Sequence, residues 1–245
     1  MFELLVRGAS LPEAYHKALV ALHECHDELP CPDYNTRQKE ASMTMIIEDP
    51  LAEPMISKLF IGEPRSLEQY RQEMLDGILD FEVERGKWDY TYHLRMEGQI
   101  PGVIDELRRS PESRRAVITT RREHELSSES PACMQHLQYF IRGGALHCKV
   151  LFRSNDATKA TFMNAFALIM LQKRIADSLS LKVGSYTHRA NSFHVYERDY
   201  AMFDGYVRRI NGGGELAFYY DGDWDELMDE AKPDIAKMVE ELKNR

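Results

Sequence analysis

The run MQHLQYFIRGGALHCKVLF, residues 134–152, says most about the fold class. Two segments rich in aromatic and branched residues flank Gly143-Gly144, a pair that accepts positive φ without steric cost. The pattern predicts an antiparallel hairpin with strands at Met134–Ile141 and Leu146–Phe152. Downstream, Thr161–Ser178 carries Phe166, Leu168, Ile169, Leu171 and Ile175 over several turns, which predicts a helix buried on most sides. Ser185–His188 and His194–Glu197 read as two further strands, and the tail as two helical pieces separated by Pro233. Upstream, strands are expected at Phe2–Val6, Met43–Ile47 and Ala116–Thr120. Ser10 and Glu13 form a capping-box pattern opening a helix that runs to His26. Ser66–Leu79 aligns Leu67, Tyr70, Met74 and Ile78 on one side of a helix, and Gly102–Arg109 is another helix, closed by Ser110-Pro111. Strands outnumber what one layer of helices covers, so the class is α/β (α+β), a mixed sheet with helices packed on it.

No internal repeat, low-complexity run or linker interrupts residues 1–245, which read as a single domain. The formal net charge of −9 argues against affinity for nucleic-acid polymer or an anionic membrane, both of which need a basic face. A small phosphorylated ligand stays compatible, because a few clustered arginines suffice locally. Met1–Gly8 is short and interrupted by Glu3 and Arg7, so no signal peptide is expected, and no apolar run is long enough to span a membrane. Cys25, Cys31, Cys133 and Cys148 do not form a disulfide framework in a chain of this size, and a reducing cytoplasm is the expected setting.

Chemistry concentrates around Pro131-Ala132-Cys133-Met134-Gln135. A cysteine at the mouth of a strand, behind a proline-containing loop, is placed to face a cleft. Nearby cations favour its nucleophilic thiolate. Taken alone, Cys133 reads more readily as an inert core residue, as free cysteines usually are. Arg114-Arg115 leads into the preceding strand, however, and Arg153-Ser154 ends the hairpin. Three guanidinium groups and a hydroxyl near one thiol would form a phosphate cradle. The stretch His23-Glu24-Cys25-His26 with Cys31 suggests a metal cluster, but no second knuckle follows and no metal is expected.

Taken together, Pro111-Glu112-Ser113-Arg114-Arg115, Pro131-Ala132-Cys133 with Gln138, Arg153-Ser154-Asn155-Asp156, Asn164, and His194-Val195-Tyr196 resemble the thymidylate synthases in order and spacing. The flavour is that of the short archaeal enzymes, and the related nucleotide hydroxymethylases share the motifs. The resemblance implies a largely antiparallel sheet with one face at a homodimer interface. It implies that Cys133 is the nucleophile that adds to C6 of uracil. Arg153 and Ser154 match the residues holding the 5′-phosphate, and Gln138 belongs to the same substrate-binding set. Arg114 and Arg115 match the pair that reaches the partner subunit's phosphate, so the phosphate site would be shared within a homodimer. Arg37, in Tyr34–Lys39, matches an early phosphate-loop arginine. Asn164 matches the amide that reads the base, which favours uracil, because an amide can donate to O4 and accept from N3–H together. His194 and Tyr196 match the pair on the sugar 3′-hydroxyl, and Asp156 an aspartate near base and pterin. For the proton-managing glutamate, the helix offers Glu68 and Glu73, and Glu73 with Met74-Leu75 fits better. Tyr90 and Arg95 fill the place of a tyrosine–arginine motif.

The donor half departs from the family pattern. Neither tryptophan, Trp88 or Trp224, stands in the family's place. The tail Lys243-Asn244-Arg245 lacks the apolar closing residues, and Ala190-Asn191-Ser192 replaces a Gly-Gly-Asp. The resemblance implies methylene-tetrahydrofolate, or a modified pterin such as methylene-tetrahydromethanopterin, as donor to a dUMP-like nucleotide. Methylation of dUMP leads. A hydroxymethylase acting on dUMP or dCMP and a non-catalytic nucleotide-binding homologue are the alternatives.

Overall fold

The computed structural model describes residues 2–25, 28–222 and 224–244. Its strands are β1 (Glu3–Gly8), β2 (Glu28–Cys31), β3 (Thr36–Ile47), β4 (Ile56–Ser57), β5 (Val117–Thr119), β6 (Met134–Arg142), β7 (Ala145–Phe152), β8 (Asn155–Asp156), β9 (Lys182–Tyr196) and β10 (Ala217–Phe218). Its α-helices are α1 (Leu11–Glu24), α2 (Pro64–Asp76), α3 (Phe81–Glu84), α4 (Tyr92–Met96), α5 (Ile100–Arg109), α6 (Thr161–Ser178), α7 (Tyr200–Asn211) and α8 (Asp225–Lys243).

The main sheet runs β1-β3-β9-β7-β6-β5, with β2 beside β3 and β8 beside β9. Pairs β3–β9, β6–β7 and β5–β6 are antiparallel, whereas β1–β3, β7–β9 and β8–β9 are parallel. The mixed, largely antiparallel sheet with helices packed on it is thus present. The expected hairpin forms with both turn glycines at positive φ, Gly143 at 57° and Gly144 at 77°. A two-residue turn compatible with strand twist requires this.

Helix α6 matches its predicted bounds, and Phe162, Phe166, Leu168, Ile169 and Ile175 are all buried. Between Leu146 and Cys148 the β7–β9 register shifts. Such an irregularity leaves carbonyls outside the ladder. The fully buried Gln172 of α6 takes them, donating to the Leu146 carbonyl at 2.7 Å and to that of Gly184 at 3.0 Å.

Several expected boundaries move. The strands expected at Ser185–His188 and His194–Glu197 are parts of one strand, β9. Ala41 pairs with Phe193 and Met43 with Ala190, so Asn191-Ser192 bulge opposite Ser42. The bulge breaks the alternation that a continuous strand would show. Helix α2 stops at Asp76 rather than Leu79, because Gly77 adopts the left-handed conformation with φ of 65°. Helix α8 continues through Pro233. Pro233 is exposed, while Met228, Ala231, Ile235 and Val239 keep one buried stripe on both sides of it. Helix α1 ends at Glu24, and His26 lies outside the described residues.

Gln172→Leu should keep the volume of α6 but leave the Leu146 and Gly184 carbonyls unpaired. A loss of about 1–3 kcal/mol in unfolding free energy is expected in urea titrations.

Candidate active site

Met134 pairs with Phe152, so the residues just outside this pair, Cys133 and Arg153, come side by side. The Arg153 backbone N–H donates to the Cys133 carbonyl at 2.8 Å. Its side chain donates to the carbonyls of Ala132 at 3.2 Å and Pro131 at 2.8 Å, and Nη2 also reaches Cys133 Sγ at 3.6 Å. The half-buried thiol therefore faces a guanidinium.

From the other side the loop is held by Glu125, which is 3 % exposed. Its carboxylate accepts from the N–H groups of Arg122 at 2.6 Å and Ala132 at 3.2 Å, and from Arg95 at 3.1 Å. Burial alone would raise this carboxyl, but the two N–H groups with Arg95 and Arg121 outweigh it and keep it below its usual range. Arg95 also lies 5.3 Å from the centre of the Tyr90 ring, so its role is to brace the loop.

A cleft of about 990 Å³ opens in front of the thiol. Of the expected residues, Cys133, Arg153, Ser154, Asp156, Asn164, His194 and Tyr196 line it together. Asp156 accepts from the N–H groups of Thr158 at 3.0 Å and Lys159 at 2.9 Å, fixing the turn that enters α6. His194 is 4 % exposed, and its ring centre stands 4.8 Å from that of Tyr196. Burial lowers the His194 pKa, with Asp156 opposing that shift. Asn164 accepts a hydrogen bond from the Tyr70 hydroxyl.

Glu73 and Tyr90 line a second cavity of about 190 Å³ with Trp88, and Tyr70 and Tyr92 belong to both cavities. Burial raises the Glu73 carboxyl above its ordinary range, opposed by a hydrogen bond from Gln69. The Tyr92 hydroxyl accepts from the Met134 N–H at 3.0 Å. Tyr90 has a backbone hydrogen bond from Cys133, and burial nevertheless raises its pKa. Two tyrosines thus hold the backbone at Cys133 and Met134.

Other expected residues are not brought to this cleft within the chain. Arg114 and Arg115 are exposed, and Arg115 pairs with Glu106 at 2.9 Å. Only Arg153 of the three arginines reaches the thiol, because Arg114 and Arg115 precede β5, at the sheet edge, whereas Cys133 immediately precedes β6. Gln138 donates to the Arg114 carbonyl at 2.8 Å and does not line the cleft. Arg37 pairs with Glu28 at 3.3 Å, while its neighbour Gln38 lines the cleft. Glu68 is 1 % exposed and paired with Arg71. His23 lies 3.1 Å from Asp204, and Cys25 donates to the Ala21 carbonyl.

The thymidylate synthase family model matches residues 70–218, which contain the whole Cys133–Tyr196 constellation. The chain belongs to the thymidylate synthase family. A Methanocaldococcus jannaschii protein provisionally named thymidylate synthase is 34% identical over 185 residues, 71% of this chain and 83% of that protein. A Methanosarcina barkeri protein of the same provisional name is 28% identical over 211 residues, covering 84% and 96%. The thermostable thymidylate synthase A from Bacillus subtilis shares the fold, with a TM-score of 0.67 at 16% identity over 85% of this chain and 86% of that one.

This thymidylate synthase relative contains site residues that the sequence reading missed. Tyr70 shares an apolar helical stripe with Leu67 and Met74, so periodicity marks it as core. Trp88 follows Gly86-Lys87 outside any helical or strand pattern, and only the fold sets it beside Glu73. Behind the cleft, buried His188 stacks on Phe152 at 4.8 Å and its Nε2 lies 2.8 Å from Asn155 Oδ1. Thr161 donates to the same oxygen at 2.9 Å, and Tyr186 bonds His188 Nδ1 at 3.1 Å. Two adjacent cleft residues and the start of α6 are thereby tied to β9.

Burial pushes His188 from 6.5 down to about 3. On acidification the unfolded chain protonates this imidazole near pH 6.5 while the folded chain keeps it neutral until about pH 3. The stabilisation is complete above pH 6.5 and is lost as pH falls towards 3. Its slope approaches about 1.4 kcal/mol per pH unit. Urea titrations across this range should show that slope reduced by about one proton's worth in His188→Asn.

Proposed function

We propose that this chain converts dUMP to dTMP with a reduced-pterin one-carbon donor, through addition of the Cys133 thiolate to C6 of uracil. One observation carries the reading. The thiol, 3.6 Å from a guanidinium nitrogen, shares one cleft with Ser154, Asn164, His194 and Tyr196, and that cleft shares a wall with an aromatic cavity holding Glu73.

Arg153 uses Nε and Nη2 on the loop. The donors on Nη1 and the Ser154 hydroxyl then suit a 5′-phosphate. The Asn164 amide complements the uracil edge, and His194 with Tyr196 receives the sugar 3′-hydroxyl. Asp156 shapes the floor by holding the turn into α6. Thiolate addition at C6 breaks the 5,6 double bond and moves its electron pair to C5, with charge spread onto O4. C5 becomes the nucleophile, and after substitution the thiolate leaves as the C5 proton is removed. In this reading Tyr90 takes that proton and Glu73 holds or delivers one, roles that the burial-raised Glu73 carboxyl and the contact of Tyr90 with the Cys133 backbone support.

The second cavity offers the faces of Trp88, Tyr70, Tyr90 and Tyr92 beside one carboxylate, which fits a flat, hydrogen-bonding heterocycle. When bound there, a reduced pterin supplies an electrophilic carbon and the hydride that completes a methyl group. Methylene-tetrahydrofolate and methylene-tetrahydromethanopterin share that head group. Arg114 and Arg115, exposed and outside their own cleft, suit contact with the phosphate of a second copy in a two-fold dimer. Thr44, Ile46, Leu151, Thr187 and Arg189, partly exposed on alternate strand positions, would form its interface. Gln138 then serves by holding the Arg114 segment, and Arg37 by bracing the β2–β3 turn.

Release of tritium from [5-³H]dUMP, with a thiol and without pterin, should occur with the wild-type chain and fall to the buffer rate in Cys133→Ala. With each pterin added, mass spectrometry of the product should show a methyl group. A hydroxymethyl group would turn the reading to a hydroxymethylase. Absence of release from dUMP, UMP and dCMP alike would overturn the enzyme reading.

A further inference from the structure

Tyr70 stands on α2 in the wall between the two cavities and lines both. Its hydroxyl donates to Oδ1 of Asn164, which sits in the first turn of α6 and is 5 % exposed. Among the described residues, the Tyr70 hydroxyl has no second partner and Asn164 Nδ2 has none. Burial raises the Tyr70 pKa far above its ordinary value, so the proton stays on the oxygen.

A primary amide can take two orientations related by a half-turn, which exchange its acceptor and donor ends. In the orientation present, the Tyr70 proton is used on Oδ1, and the Nδ2 donor end is left for a ligand in the cleft that Asn164 lines. In the flipped orientation Nδ2 would donate to the tyrosine oxygen, and the Tyr70 proton would lose its acceptor among the described residues. Donors in a partly buried wall are seldom left so, because their desolvation is then uncompensated. One hydroxyl on a neighbouring helix therefore decides which end of Asn164 meets a ligand. A donor end complements a carbonyl at C4 of a pyrimidine and opposes an amino group there.

We propose that Tyr70 is a specificity-determining positioning residue, turning the donor end of Asn164 toward the cleft and so selecting a pyrimidine nucleotide with a C4 carbonyl over one with a C4 amine. The inference rests on the reading of the cleft as a pyrimidine nucleotide site.

The test is equilibrium binding of dUMP and of dCMP, without pterin, to the full chain as wild type, Tyr70→Phe, Asn164→Asp and the double variant. Tyr70→Phe should reduce the preference for dUMP over dCMP about tenfold, the value of one hydrogen bond. In the Asn164→Asp background the same change should move the ratio by less than about twofold, since a carboxylate has two acceptor oxygens and no orientation to set. The ratio is taken between two ligands on one sample, so partial unfolding scales both and cancels. An unchanged ratio in Tyr70→Phe, or an equal change in both backgrounds, overturns the role of Tyr70 while leaving dUMP as substrate. A wild-type chain that binds neither nucleotide overturns the nucleotide reading and this inference with it.

Discussion

The carbonyls of Pro131, Ala132 and Cys133 all converge on Arg153, and the thiol of Cys133 lies against the same guanidinium. Hydrogen bonds from a charged donor are shorter and stronger than neutral ones, so this cation is the strut of the loop. Its place is set by strand pairing. Arg153 follows the last residue of β7, Cys133 precedes the first of β6, and the hairpin brings those ends together. Glu125 holds the loop from the opposite side through buried N–H contacts and Arg95. The segment that carries the thiol is thereby fixed on both sides.

The rest of the cleft extends the same rigidity. Helix α6 is buried nearly all round, carries Asn164 at its start, and is fastened to the sheet by Gln172 further along. Asn155, His188 and Thr161 tie the start of α6 to β9 through one shared oxygen. Tyr70 and Tyr92 then form the partition between the cleft at Cys133 and the aromatic cavity. Hydroxyls in such a wall seek partners. Those partners are Asn164 and the backbone N–H of Met134.

Much of the architecture was legible because the local signals agree with the global fold. The glycine pair demands a tight hairpin, and the apolar run Ala165–Leu171 within Thr161–Ser178 demands a buried helix. Errors arose where tertiary packing overrode a local rule. Pro233 reads as a break, yet the stripe from Met228 to Val239 packs on both sides of it and the helix persists. Asn191-Ser192 reads as a gap between strands, yet it is a bulge inside one long strand. The aromatic wall was hidden for a different reason. Periodicity reports that Tyr70 is inside, but it does not distinguish a core contact from a cavity wall.

By itself the sequence determined the hairpin, the central helix and the family-like set of motifs, because turn chemistry, periodicity and motif spacing are local properties of the chain. Only the tertiary structure decided which of those side chains meet. It brought Arg153 to the thiol and left Arg114 and Arg115 outside the cleft. It set Trp88 beside Glu73, and it gave the Tyr70 hydroxyl to Asn164 across 94 residues. Such contacts follow from strand order, register and helix packing, and none of these is fixed by the distance between two residues along the chain.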